Sequence, residues 1–132
     1  MTNREIESAA IAYVIEREAV EGREAHDTRG RGAAGDLASR NRVIEVKAYG
    51  TTARGNDMWL EARQVEEAKV NPDFWVYVVE NIRQGDPSQF RLLCIGGDDL
   101  HALIGKAKEK HYYEVPFPVA VYDRLRSNVT DA

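Results

Sequence analysis

Phe74 to Val79 reads Phe-Trp-Val-Tyr-Val-Val, and this run limits the possible folds more than any other. β-Branched and aromatic residues suit a strand, and a strand that is apolar at nearly every position belongs in the middle of a sheet covered on both faces. Helices supply such layers, so the expected class is α/β. The rest of the chain offers them. Ile6 to Val20 carries apolar residues at Ile6, Ala10, Tyr13 and Val14, the spacing of an amphipathic helix, with Thr2 or Asn3 to cap its start. A second helix is expected from Glu61 to Val70, ended by Pro72, and a third from Asp99 to Lys110 after the break at Gly96-Gly97. Phe90 to Ile95 pairs with the apolar run across the turn Gln84 to Ser88. Tyr112 to Val121 contains Pro116 and Pro118 and reads as an edge strand or extended segment, and the last seven residues as a frayed end.

The chemistry concentrates between Gly35 and Gly50. Arg42 to Tyr49 is a strand by composition, with Gly50 ending it. Alternation puts Glu45 and Lys47 on one face with Val43 and Tyr49, and Ile44, Val46 and Ala48 on the other. Arg40-Asn41 makes a two-residue hairpin loop, which pairs Ser39 with Arg42 and, counting outward, sets Asp36 opposite Glu45. Opposed residues have Cβ atoms roughly 4.5–5.5 Å apart. Two carboxylates that close repel unless a positive charge sits between them; a divalent cation does that, and Lys47 stands beside them.

Asp36 followed after a short hairpin by Glu45-Val46-Lys47 resembles the Asp…Glu-x-Lys signature of the PD-(D/E)xK nuclease superfamily, with Gly35 in place of the proline. The wider order is a first helix with Glu7, Gly35-Asp36, Ile44-Glu45-Val46-Lys47, Gln64 in a helix and then the apolar strand. It most resembles the NO VEIN-type C-terminal domain of unknown function, over about residues 5 to 100. The resemblance implies a restriction-endonuclease-like core, a mixed β-sheet flanked by helices in α-β-β-β-α-β-β-α order, and the length of the chain implies a single domain over residues 1–132. It also implies Mg²⁺ or Mn²⁺ held by Asp36, Glu45 and the backbone carbonyl of Val46, with catalysis by Asp36, Glu45 and Lys47. Glu7 and Gln64 complete the set by resemblance, although these domains favour Glu where Gln64 stands.

The bland readings remain beside the functional ones. Glu7 is either a helix-edge carboxylate in solvent or a residue aimed at the site. Gln64, close to an apolar stripe of Leu60, Val65 and Ala68, is either bonded structurally or placed to meet substrate. His26 and Asp27, like His101 and His111, read as surface residues. The lysines at 106, 108 and 110 suit a solvated helix end. Arg29 to Gly35 is a glycine-rich loop without the Gly-Lys-Ser/Thr ending of a phosphate-binding loop. Cys94, the single cysteine, lies in an apolar run and is expected to be buried.

The net charge of −4 bears on any nucleic-acid partner. Residues 1–28 hold three basic and seven acidic side chains, residues 29–69 eight and six, and residues 70–132 seven and nine. The Asp36–Lys47 stretch thus lies in the one positive third, with Arg40, Arg42, Arg54 and Arg63 near it in sequence and expected to contact phosphates. With no signal-peptide pattern and no run of about 18 apolar residues, a cytoplasmic protein is expected. The function expected is metal-dependent, endonuclease-like phosphodiester hydrolysis of DNA, with RNA also open, by a homodimer or with a partner protein that supplies specificity. The alternative is a catalytically inactive module of the same fold that binds nucleic acid or protein.

Overall fold

The structure, a computed structural model, describes residues 1–110, 113 and 115–127. Helix α1 (Asn3–Val20) starts at a capping box, in which Thr2 accepts from the Glu5 backbone and Glu5 accepts from that of Thr2. Three antiparallel strands follow, β1 (Ala25–Asp27), β2 (Leu37–Ser39) and β3 (Arg42–Ala48). Helix α2 (Ala62–Val70) then crosses over to β4 (Phe74–Glu80), which runs parallel to β3. A short 3₁₀ turn at Pro87–Gln89 leads to β5 (Arg91–Ile95), antiparallel to β4, and then to α3 (Gly97–Gly105) and α4 (Val119–Ser127). The five strands form one open mixed sheet in the order β1-β2-β3-β4-β5.

The sheet is covered on both faces, as the apolar β4 requires. Ile44, Val46, Tyr77 and Val79 pack against Ile6, Ala10, Ile11 and Val14 of α1. Val76, Val78 and Phe74 pack on the other side against Ala68 of α2 and Leu100 of α3. β4 is buried at every position but Trp75. Because β3 lies inside this sandwich, Glu45 sits in a covered layer and only 8% of it is exposed.

Several expectations give way near the ends of elements. Of the expected edge strand or extended segment Tyr112 to Val121, Tyr112 and Glu114 lie outside the described residues, the described residues before Val119 join no strand, and a helix begins at Val119; Pro116 and Pro118 cannot donate to a ladder, while a proline just ahead of a helix costs no hydrogen bond. Helix α3 stops at Gly105, five residues before Lys110. Cys94 is exposed on β5, an edge strand whose outer residues are left uncovered by the described helices. His111 and residues 128–132 lie outside the described residues. His101 is exposed, with its Nε2 3.2 Å from the Ala68 carbonyl. None of the described helices is long and apolar enough to cross a membrane.

A buried charge locks α1 to the sheet. Glu18 is 2% exposed and accepts two bonds from Arg23, at 2.8 and 2.7 Å, and one from the Tyr77 hydroxyl at 3.1 Å. Burial pushes its carboxyl up, but the Arg23 guanidinium reverses this and holds it below the usual glutamate range. The stabilisation from Glu18 is therefore present above its unfolded pKa and is lost as pH falls through the lower folded one. Removing Glu18 strands Arg23 and Tyr77. Glu18→Ala is expected to cost about 3–5 kcal/mol in urea unfolding at neutral pH, with a smaller difference in acid.

Candidate metal centre

The site exists because β2 is shorter than β3. The ladder runs from Ser39 opposite Arg42 to Leu37 opposite Ile44 and stops, while β3 continues to Ala48 along β4. On β3, Val43 and Tyr49 donate their N–H groups toward the β4 side, to Asp73 and Val79. By alternation Val46 faces the other way, onto an edge that has lost its strand partner. The Asp36 carboxylate takes the place of that partner, its Oδ2 accepting from the Val46 N–H at 2.9 Å. A strand residue directs N–H and C=O to the same side, so the Val46 carbonyl faces this free edge as well. The hairpin register is the one expected, but Asp36 is displaced from direct opposition to Glu45. Its N–H donates to the Ile44 carbonyl at 2.8 Å, which carries the side chain beyond the end of the ladder.

Gly35 makes that placement possible. A Cβ there would stand 2.8 Å from the Ile44 carbonyl oxygen and 2.9 Å from Cγ1 of Val43. The nearer atom is backbone, so a side chain before Asp36 would force this part of the hairpin to shift.

Glu45 and Lys47 form an ion pair, Nζ to Oε2 3.2 Å. Burial first, and the adjacent Asp36 carboxylate second, push the Glu45 carboxyl up to about 7, against the pull of Lys47. These three residues, with Val46, line a cleft of about 370 Å³ together with Asn3, Ile6 and Glu7 of α1.

The remaining expected residues lie in other settings. Glu7 reaches the cleft wall, but its carboxylate is 3.4 Å from Arg29 and its side chain is 56% exposed. Gln64 is absent from the lining. Its Oε1 caps α2 by accepting from the Glu61 N–H and its Nε2 donates to the Ala34 carbonyl, both at 3.0 Å. Arg40 donates to the Gly22 carbonyl. Arg42 lies 4.0 Å over the Trp75 ring and donates to the Tyr77 hydroxyl. Arg63 ties down the carbonyls of Gly32 and Ala33. Arg54 lines neither this cleft nor the adjoining one. The arginine that does line it, Arg83, was not anticipated, because the parallel pairing of β3 with β4 brings it in from far along the chain.

Among the described residues no group of three or more His, Cys, Asp and Glu could hold a metal. The donors are two carboxylates and a carbonyl, all hard oxygens. That set does not suit a structural zinc, which takes four nitrogen or sulfur ligands, but it fits Mg²⁺ or Mn²⁺, since magnesium is bound through one or two carboxylates and keeps several waters.

Fold and site together define an open-sheet α/β domain with a carboxylate pair and a lysine at the free edge of an internal strand. Residues 6–93 match the family described as Protein NO VEIN, C-terminal, and the chain belongs to that family. No curated protein and no solved structure matches it.

Two consequences can be measured. The folded Glu45 holds its proton to a higher pH than the unfolded chain does, so stability should fall as pH rises from about 4.5 to about 7. Glu45→Gln should flatten this slope and exceed the parent at pH 8 by on the order of 1–3 kcal/mol. Gly35→Ala, forced against backbone, should lose about 1–3 kcal/mol by thermal or urea unfolding.

Proposed function

We propose that the domain is a metal-dependent phosphodiester hydrolase of the PD-(D/E)xK type, acting on DNA. The observation that carries this reading is the collection of Asp36, Glu45 and Lys47 around one cleft at an unpaired strand edge. A solvated salt bridge does not require a second carboxylate, and a purely structural core does not set a half-buried carboxyl group beside a buried one. The restriction-endonuclease-like fold belongs to the same proposal, supported by the element order and by the position of the three residues on it.

Asp36, Glu45 and the Val46 carbonyl would hold Mg²⁺ or Mn²⁺. The ion supplies a Lewis acid for a phosphate oxygen and lowers the pKa of a water beside it. Glu45 would serve in its ionised form. Lys47 already lines the cleft beside Glu45, where its ammonium would orient the attacking water and stabilise charge on the phosphoryl oxygens in the transition state. Asp36 is already fixed by the Val46 N–H, so its second oxygen is presented without further ordering. Glu7, which also lines the cleft, is available to this chemistry once it leaves Arg29.

Calorimetry with Mn²⁺ tests the site before any substrate is known. Saturable binding by the parent that is lost in Asp36→Ala is expected, and a folded parent that takes up no Mn²⁺ contradicts the reading. On a cleavable strand, Lys47→Ala should lower the rate by roughly 10²-fold or more while leaving Mn²⁺ binding intact. A parent that binds strands but cleaves none, with Lys47→Ala binding as well as the parent does, would instead favour the non-catalytic module.

A further inference from the structure

We infer that the substrate is an extended phosphodiester strand, held by Arg83 in the metal cleft and by Arg4 and Arg31 in a second cleft that shares a wall with it. The inference rests on the hydrolase reading and extends it to substrate length and to the groups that bind it.

The second cleft, of about 620 Å³, is lined by Arg4, Glu7, Asp27, Arg29 and Arg31. Glu7 lines both clefts, so the two adjoin along the first turns of α1. The charges in this region are unevenly matched. Arg29 engages both carboxylates of the second cleft, Asp27 at 2.8 Å and Glu7 at 3.4 Å. Arg4 and Arg31 make no side-chain hydrogen bond or ion pair with any described residue, although Arg31 adds a longer-range attraction to Asp27. In the metal cleft Lys47 is matched to Glu45, and Arg83 is likewise without a side-chain partner among the described residues.

Arg83 is also positioned. Its N–H donates to the Gly50 carbonyl at 2.9 Å, and its guanidinium packs so close to Gly50 that a Cβ there would lie 2.9 Å from Nε. A guanidinium with its donors unspent, set at the wall of a cleft, matches the fork geometry of a phosphate. One such group would suit a mononucleotide. Three of them, distributed over two adjoining clefts on either side of Glu7, suit successive phosphates of one strand.

The test is fluorescence anisotropy with a labelled oligothymidylate of about 20 nucleotides, in EDTA so that the strand stays intact, from about 50 to 200 mM salt. Arg83→Ala and the double variant Arg4→Ala/Arg31→Ala are each expected to weaken binding about tenfold and to make the salt dependence shallower by about 0.7 per guanidinium removed. Arg124→Ala, on α4 and outside both clefts, should bind as the parent does. A thymidine dinucleotide should compete far less well than the long strand. The inference is overturned if the cleft variants bind normally, if Arg124→Ala loses as much as they do, or if the dinucleotide competes equally. Because binding is read without cleavage, failure of the hydrolase reading would show separately, as an intact strand when the parent is given Mn²⁺.

Discussion

One hydrogen bond, from the Val46 N–H to the Asp36 carboxylate, sets the organisation of the molecule at the place where its chemistry gathers. An internal strand normally has both edges paired, and an unpaired donor in a covered sheet is costly. Here β2 ends early and leaves β3 with an unmet N–H. Satisfying that donor with a carboxylate instead of another strand keeps the edge open, so space remains for the cleft. The same choice puts a negative charge beside Glu45, which the sheet has already removed from water. Cleft and carboxylate pair therefore share one origin, the shortness of a three-residue strand, and the Asp36 charge so placed adds to the burial that raises the Glu45 pKa.

The electrostatics are local. The chain as a whole is acidic, and most of its basic groups near the site in sequence are spent on structure. Arg63 holds a glycine-rich loop, Arg42 stacks on Trp75, and Arg23 neutralises a buried glutamate. The guanidiniums left without partners at the clefts come from the start of α1, the loop after β1 and the turn after β4. Net charge carries little information about such an arrangement, because it counts matched and unmatched groups alike.

The sequence made the core of the fold legible wherever a strong local pattern coincided with a tertiary demand. Phe74 to Glu80 is apolar throughout and is central; Arg40-Asn41 is a tight loop, and Arg40 adopts the positive φ of 52° such a loop needs. The carboxylates and Lys47 follow from that hairpin because they lie within it. The rest depended on partners distant in sequence. Whether a buried glutamine meets substrate or a helix end turns on where Glu61 and Ala34 lie. Arg40, Arg42 and Arg63 were legible as charges, but the carbonyls and aromatic ring that hold them were not. Arg83 becomes visible only through the crossover that sets β4 beside β3. Cys94 illustrates the opposite error, since an apolar run at the edge of a sheet need not be covered.

The order in which these contacts form follows from their spacing along the chain. Asp36, Glu45 and Lys47 are joined by a hairpin, a local structure that closes in microseconds, whereas the β3–β4 pairing must wait for the longer loop through α2. In the hairpin alone water would still reach all three groups, and burial, the largest cause of the Glu45 shift, would be absent. The proton affinity of Glu45 rises fully only when β4 and the helices close over the sheet. The unusual acidity of the site is accordingly a property of the completed domain, and a fragment containing the whole hairpin would carry the right residues with the wrong chemistry.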